Sequence, residues 1–135
     1  MTQDPGAVRR DFDQLPLHKL LGMTLGEVRP GFARVVLRTS TLTMGGVGGS
    51  VHGGLLAFLV DAATLEALFP MFSPDDRPAG TADLNITYLR PALGPQIVAE
   101  ATVLRKGRQL AVAEVEISAD GKLCAKGRAI YALRA

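Results

Sequence analysis

The sequence predicts an α+β fold in which antiparallel strands pack against one long helix. Six stretches alternate between apolar and polar residues and are joined by short links that are typical of hairpins. One mostly apolar segment, at residues 53–68, is too long for a strand and interrupts this series. A chain of 135 residues that is 47% hydrophobic and 21% charged suits one globular domain with its own core. We therefore expect a single domain over residues 1–135, with residues 1–8 as a frayed tail.

The first elements follow from turn residues and periodicity. Residues 9–21 predict a short helix that is broken near Pro16, since proline removes a backbone donor from a helix interior. Pro30 and Gly31 separate two alternating runs, residues 23–29 and 32–39, which predicts a hairpin. A glycine-rich loop then leads into the long helix.

The helix is predicted from about Gly53 to Leu68, with Pro70 closing it. It is apolar nearly all round, so we expect it to be buried on several sides. The sheet can cover only one side, and we expect another subunit to cover a second side. Three prolines between residues 70 and 80 predict a loop. Four strands follow, the last three joined by tight turns and therefore antiparallel neighbours. They are residues 81–90, 96–106, 109–119 and 122–133.

Composition argues against several classes of function. A net charge of +2, the lack of tryptophan and only 5% aromatic residues argue against nucleic-acid binding. The longest uninterrupted apolar runs are far shorter than the roughly 20 residues that span a bilayer, and the N-terminus is polar. The single cysteine, Cys124, argues against an internal disulfide and a multi-cysteine metal site. We expect a cytoplasmic protein without a metal or cofactor.

The glycine pair Gly53-Gly54 at the start of the helix is a candidate oxyanion site. The segment matches neither a P-loop, a dinucleotide fingerprint nor a nucleophile elbow. The first amides of a helix have no internal partners and carry the positive end of its dipole, so they can hold an oxygen that gains negative charge. A purely structural role, in which the glycines permit a tight turn, remains open.

Asp61 is the second candidate, because aspartate in mid-helix has no cap to form. Burial would suit it to act as a base or nucleophile, or it pairs with an arginine or hydroxyl. Gly54 and Asp61 share a helix face but lie roughly 10 Å apart. Two antiparallel copies of the helix would bring the glycines of one to the aspartate of the other. His52 is expected to orient the loop, and Cys124 to pack rather than form a nucleophilic pair with His52.

Several segments carry a resemblance to a known family. They are Val51-His52-Gly53-Gly54 with Asp61, DLNITYLRPALG from residue 83, VLRKGRQLAVAEVEI from residue 103 and GKLCAKGRAIY from residue 121. Together they resemble hotdog-fold acyl-CoA thioesterases, of the phenylacetate-pathway type and the thioesterase superfamily member 2 type. The resemblance covers roughly residues 20–133. It implies a curved antiparallel sheet around one helix, assembled as a homodimer that commonly pairs into a homotetramer, and hydrolysis of an acyl-CoA at the dimer interface.

The resemblance also implies roles for individual residues. The residue matching Asp61 activates water or attacks directly, and the amide matching Gly53 polarises the thioester carbonyl. Thr81 matches a hydroxyl that helps position water, and His52 lies beside the site. Gly46 stands where the mammalian relative has an asparagine that holds the carbonyl oxygen. Either another donor, such as Ser50 or a loop amide, replaces it, or the protein is slow on standard substrates.

Cations near the mouth of the site would hold the phosphates of CoA. Arg90, Lys106 and Arg108 are the candidates, the last two on a hairpin that resembles a basic hairpin of the family. A role as ordinary solvated surface charges stays open for each of them. The apolar helix suits an aryl or a medium-chain acyl group. Two other functions stay open, a non-catalytic acyl-CoA-binding protein and a hotdog hydratase. A hydratase would need a histidine paired with an acid, and the only histidine besides His52 is His18, which lies in the N-terminal segment.

Overall fold

The computed structural model describes residues 11–134 and confirms the α+β architecture. Two helices and six strands follow each other in the chain. The helices are α1 (Pro16–Leu21) and α2 (Gly53–Leu68). The strands are β1 (Met23–Arg29), β2 (Phe32–Arg38), β3 (Arg77–Tyr88), β4 (Gln96–Lys106), β5 (Leu110–Ala119) and β6 (Lys122–Arg134). The expected frayed tail lies outside the described residues.

All six strands form one antiparallel sheet in the order β1-β2-β4-β5-β6-β3. The predicted pairings of β4 with β5 and of β5 with β6 are confirmed. The connection through α2 carries the chain across the sheet, so β3 pairs with β6 at one edge. A simple meander would have placed β3 between β2 and β4, where β2 and β4 instead pair directly.

The sheet wraps around α2, which contacts every strand. Six strands span about 24 Å, whereas a helix is only 10–12 Å wide, so this contact requires a curved sheet. Small residues let the two layers approach closely. At Gly127 in β6, a Cβ atom would lie only 2.6 Å from Cγ2 of Val60 in α2. The core between the layers is formed by side chains from α2 and from the inner face of the sheet: Leu56, Leu59, Val60, Ala63, Val35, Leu37, Ile97, Ala99, Val115, Ile117 and Ala129.

The N-terminal part of the described chain differs in detail from the expected helix. A 3-10 turn at Phe12–Gln14 precedes α1, and Leu15 between them is extended. Pro16 is the first residue of α1. Proline is tolerated there because the backbone nitrogen at this position has no hydrogen-bond partner within the helix. His18 is buried and bonds the carbonyl of Phe12 at 2.8 Å through Nδ1. This histidine therefore holds the two short elements together.

Strand β3 begins at Arg77, four residues earlier than predicted from the prolines. Pro78 is tolerated because β3 is an edge strand, where a missing donor leaves no ladder bond unmade. Register shifts occur on either side of Gly80-Thr81, and Gly80 has a φ of 106°, which L-residues rarely adopt. Bulges of this kind re-aim side chains along a strand.

In the single chain, the sheet covers one side of the long helix and leaves open the side for which another subunit is expected. Its core face is fully buried, but Gly54 and Asp61 are exposed, and Ala57, Phe58 and Leu65 beside them are only partly covered. These positions recur at helical spacing, so they form one open face. With the 3-10 turn that follows, the segment Gly53–Met71 is long and apolar enough to cross a membrane by composition, with a mean hydropathy of 1.6. Core helices pass the same test, and this helix packs on the sheet.

Candidate active site

His52 caps α2 and fixes the glycine-rich loop in front of it. Its Nδ1 accepts a hydrogen bond from the backbone N–H of Gly54 at 2.9 Å, and its own N–H donates to the carbonyl of Thr43 at 2.9 Å. The amide of Gly54 is therefore already in use. Within residues 11–134 no group accepts a hydrogen bond from the N–H of Gly53. The amide available to a ligand at this helix end is that of Gly53.

Tyr88 closes the other side of Gly53 and was not singled out from the sequence. Its hydroxyl donates to the carbonyl oxygen of Gly53 at 2.6 Å. A Cβ at Gly53 would lie 3.3 Å from the phenol ring, so glycine allows this close stacking. Tyr88 ends β3, and the two residues are 35 positions apart. The one sequence feature that could have pointed to Tyr88 as a site residue is its position at the end of a strand, in the segment NITYLRP.

A cavity of about 440 Å³ opens at this end of the helix. It brings together six of the residues singled out from the sequence: Gly46, Ser50, His52, Gly53, Gly54 and Arg90. Its remaining walls are mostly apolar: Val47, Val51, Leu56, Tyr88, Leu89, Pro91 and Ala92. An apolar cavity with one free backbone donor and one cation suits an elongated ligand that carries a carbonyl and a negative charge.

Gly46 cannot carry a side chain in this loop. A Cβ there would collide with Oγ of Ser50 and lie 2.7 Å from the carbonyl oxygen of Val51. The N–H of Gly46 donates to the carbonyl of Ser50 at 2.9 Å, which closes the loop around this point. Ser50 itself is only 4% exposed, and no hydrogen bond from its hydroxyl is found in the described part of the chain. The serine hydroxyl thus occupies the space beside Gly46.

Asp61 lies on the open face of α2 rather than in the core, so the expected burial is wrong for a single chain. The reason is that the curved sheet covers α2 from one side only. Thr81 in β3 donates from Oγ1 to Oδ1 of Asp61 at 2.5 Å. The structure therefore brings together these two predicted residues, which are 20 positions apart.

Tyr131 lies beside Thr81 and was not singled out from the sequence. It is the direct cross-strand partner of Thr81, so both side chains leave the sheet on the same face. Burial of the ring and then the negative charge of Asp61 raise the pKa of Tyr131, while a hydrogen bond with the backbone of Gly80 acts in the opposite direction. The alternation of β6 marks Tyr131 as inward-facing, but nothing local connects it with Asp61.

The two groups lie apart within one chain. Gly53 and Asp61 are eight positions apart in the same helix, which corresponds to about 12 Å along its axis. One thioester carbonyl cannot contact both groups. The cavity at the helix start accordingly does not include Asp61.

The candidate cations also separate into two places. Arg90 lines the cavity beside Gly53, whereas Lys106 and Arg108 line a groove at the β4–β5 hairpin together with Arg105 and Arg134. Lys106 forms a salt bridge of 2.8 Å with Asp76, so its charge is already compensated. This pairing lowers the pKa of Asp76, with the Lys106 hydrogen bond as the largest cause. Arg108 and its arginine neighbours are the cations that this groove offers to an anion.

Cys124 plays no part in these groups. It is buried in β6, and its Sγ lies 3.4 Å from the carbonyl oxygen of Lys122 and 3.8 Å from that of Pro91. Nδ1 of His52 is meanwhile engaged by Gly54. The packing role expected for this cysteine agrees with its surroundings.

The chain is similar in sequence to a known protein family and to several curated proteins. The sequence profile of the thioesterase superfamily matches residues 48–125. Acyl-coenzyme A thioesterase 13 from Mus musculus is 43% identical over 83 residues, which are 59% of this chain and 58% of that relative. The alignment thus spans less than two thirds of the length of that relative. Medium/long-chain acyl-CoA thioesterase YigI from Escherichia coli (strain K12) is 30% identical over 122 residues, or 81% of this chain and 79% of the relative.

Solved structures agree with these sequence matches. Thioesterase superfamily member 2 from zebra fish superposes with a TM-score of 0.78 at 30% identity, over 98% of this chain and 100% of the other. A variant of the phenylacetic acid degradation protein PaaI from Thermus thermophilus gives a TM-score of 0.74 at 26% identity, over 87% and 98% of the two chains. The six-stranded sheet around one central helix is therefore shared by these proteins.

Proposed function

Because the chain belongs to the thioesterase superfamily, we propose that it hydrolyses an acyl-CoA thioester to a free acid and CoA. The hotdog-fold resemblance read from the sequence is confirmed by the family match and the shared fold. The observation that carries the proposal is the pair of groups on α2. A free helix amide at Gly53 opens into an apolar cavity, and Asp61 on the same helix holds a short hydrogen bond with Thr81.

The active site forms between two copies of the chain. Within one chain the Gly53 amide and the Asp61 carboxylate are too far apart for one carbonyl. Antiparallel packing of the open faces of two α2 helices would bring Gly53 of one copy near Asp61 of the other. Strand β3 supports this arrangement, since it is an edge strand that is exposed along most of its length. We propose a homodimer on this surface, which pairs further into a homotetramer as the resemblance implies.

The chemistry follows from where each group meets the substrate. The N–H of Gly53 donates to the thioester oxygen, which gains negative charge as the carbonyl carbon is attacked. Asp61 of the other copy takes a proton from a water molecule, whose oxygen forms the new bond to carbon. The C–S bond then breaks, and the CoA thiolate leaves and is protonated. Thr81 orients the Asp61 carboxylate through their hydrogen bond. Direct attack by Asp61 on the carbonyl is the alternative first step.

Ser50 supplies the second donor to the carbonyl oxygen. Gly46 has no room for a side chain, so an amide donor cannot come from that position. The buried hydroxyl of Ser50 lies beside Gly46, lines the same cavity as Gly53 and has its proton available. The donors are then the backbone amide of Gly53 and the hydroxyl of Ser50, without the asparagine side-chain amide that the resemblance places at position 46, so turnover is expected to be slower than with that third donor.

The CoA moiety and the acyl group use different parts of this surface. Arg90 at the cavity and Arg108 at the hairpin groove are proposed to contact phosphates, since guanidinium groups match phosphate oxygens in pairs. The cavity walls are mostly apolar, which suits an aryl or a medium-chain acyl group. The names of the relatives point the same way, to medium and long acyl chains for YigI and to phenylacetic acid degradation for PaaI.

The decisive experiment compares the wild type with Asp61→Asn on a panel of acyl-CoA esters, with released thiol as the readout. We expect hydrolysis to fall by orders of magnitude in the variant, while size-exclusion chromatography shows the same dimer. Equal turnover of the two proteins would contradict the proposal.

The same panel distinguishes the second candidate function, a non-catalytic acyl-CoA-binding protein. The lack of a side-chain donor at Gly46 favours this candidate. It predicts saturable binding of an acyl-CoA with no thiol release by the wild type. Binding together with Asp61-dependent thiol release supports the thioesterase.

A further inference from the structure

The peptide unit between Gly53 and Gly54 is held at both of its ends by side chains. Its carbonyl oxygen accepts a hydrogen bond from the hydroxyl of Tyr88 at 2.6 Å, and its N–H donates to Nδ1 of His52 at 2.9 Å. The carbonyl of Gly53 and the N–H of Gly54 lie in one plane, because a peptide bond does not rotate freely. Tyr88 from the end of β3 and His52 from the loop before α2 therefore form a clamp on a single rigid unit.

The two glycines allow the rings of the clamp to come this close. A Cβ at Gly53 would lie 3.3 Å from the ring of Tyr88, and a Cβ at Gly54 would lie 3.2 Å from the ring of His52. Glycine also leaves the backbone more conformational freedom than any other residue does. The hydrogen bonds at the two ends of the peptide unit restrict this freedom.

The sheet fixes the position of Tyr88. This residue is the last of β3 and is paired with β6, and the amides of the next two residues both donate to the carbonyl of Cys124, at 2.8 and 3.1 Å. Tyr88 shares a face of β3 with Leu84 and Ile86, which pack against the core. The phenol therefore reaches the start of α2 from a strand end that is itself held in place.

The clamp bears on the free amide of Gly53. The N–H of Gly53 and the carbonyl of His52 form the preceding peptide unit, and that carbonyl accepts from the amides of Leu55 and Leu56 at 2.9 and 3.3 Å. The two peptide units meet at the Cα of Gly53, so the direction of its N–H depends on how firmly both units are held. A donor that is already oriented needs no reorganisation when charge develops on an oxygen.

We propose that Tyr88 is a positioning residue, whose hydroxyl acts with His52 to fix the direction of the Gly53 N–H toward the thioester oxygen. This inference rests on the proposed function, in which that amide holds the oxygen. The hydroxyl donates to the backbone of α2 and leaves the substrate carbonyl to the amide. The ring of Tyr88 meanwhile lines the cavity, so the ring and the hydroxyl have separate tasks.

The kinetic test uses Tyr88→Phe, which keeps the ring at the cavity and removes the hydroxyl. We expect kcat to fall about fivefold with an unchanged KM, because one neutral hydrogen bond is lost and the amide that it orients acts as charge develops in the transition state. Thr87→Val is the matched control. It removes a hydroxyl from the neighbouring residue, on the opposite face of β3, and should leave kcat and KM unchanged.

A second readout does not depend on activity. The rate at which the Gly54 amide exchanges with solvent, measured by NMR on the whole protein, reports how firmly the peptide unit is held. In Tyr88→Phe we expect this amide to exchange severalfold faster, because the unit is then held at one end only. The amides of Leu59 and Ala63, in the buried middle of α2, should keep their rates. A general loss of stability would accelerate those two amides as well.

The remaining outcomes separate the two proposals. If Asp61→Asn is inactive, a wild-type kcat or a wild-type exchange rate of Gly54 in Tyr88→Phe would overturn the role of Tyr88 and leave the thioesterase intact. A higher KM with an unchanged kcat would also overturn it, in favour of direct contact between the hydroxyl and the substrate. Equal acceleration of the amides of Gly54, Leu59 and Ala63 would overturn it in favour of stability alone. A wild type that releases no thiol from any ester would overturn the proposed function and the positioning role with it.

Discussion

Replacing Thr81 with valine should lower kcat about tenfold while leaving the fold unchanged. Valine has nearly the shape of threonine and retains the strand preference of a β-branched residue. It removes the donor of the 2.5 Å bond to Oδ1 of Asp61. A hydrogen bond to a charged group contributes about 1.5–3 kcal/mol. Both residues are exposed on the single chain, so the lower end applies, and about 1.5 kcal/mol corresponds to roughly a tenfold change in rate.

The assay follows thiol release from one acyl-CoA at several substrate concentrations, so that kcat and KM are obtained separately. The expected loss lies in kcat, because Thr81 is proposed to orient the base rather than to bind the substrate. Thr81→Ser is the matched control and should keep most of the activity, since it retains the hydroxyl. The reasoning is refuted if valine matches the wild type, or if serine is as impaired as valine.

Three further predictions concern the surroundings of the site. Tyr88→Phe should lower kcat/KM severalfold and the free energy of unfolding by about 1 kcal/mol, because the 2.6 Å hydrogen bond to the carbonyl of Gly53 is lost. Steady-state kinetics measures the first quantity and urea unfolding the second. If neither quantity changes, the contact contributes nothing. Lys106→Met should destabilise the protein by about 1 kcal/mol near neutral pH, the upper end for a surface ion pair, because the two side chains are only 16% and 13% exposed. The pKa of Asp76 is lowered in the fold, so the stabilisation by this salt bridge is complete above the ordinary aspartate pKa of 3.8 and is lost as the pH falls through the pKa in the folded state. The free energies of unfolding of the variant and the wild type should therefore converge in acid. A difference that stays constant with pH would contradict the pairing. Gly80→Ala should cost about 1 kcal/mol or more and most of the activity, since φ is 106° there; an active, equally stable variant would show that the bulge is dispensable.

The order of elements could be read from the chain because each depends on neighbouring residues. The bounds of α2 agree with the prediction, as do those of β4, and β1 begins and ends where its alternation does. Turn residues such as Pro30 and Gly31 mark a hairpin by their own backbone preferences. The motif of glycines and Asp61 also lies in one continuous segment, so its resemblance to a family was visible without any tertiary contact.

The chain alone did not predict the position of β3 or the exposure of Asp61. Prolines suggested a loop up to residue 80, yet an edge strand tolerates Pro78, and a strand becomes an edge only when the whole sheet order is known. The apolar helix suggested burial on several sides, with another subunit as the second cover. In the single chain the curved sheet covers one side, and the helix face that carries Asp61 is open.

The sequence by itself determined the elements, the family and the two candidate groups on the central helix, because periodicity and short motifs are properties of adjacent residues. Tertiary structure decided which distant residues meet those groups. Tyr88 reaches Gly53 from 35 positions away, and Thr81 reaches Asp61 from 20. Such contacts depend on strand order, register and a bulge, which arise only when the sheet closes around the helix.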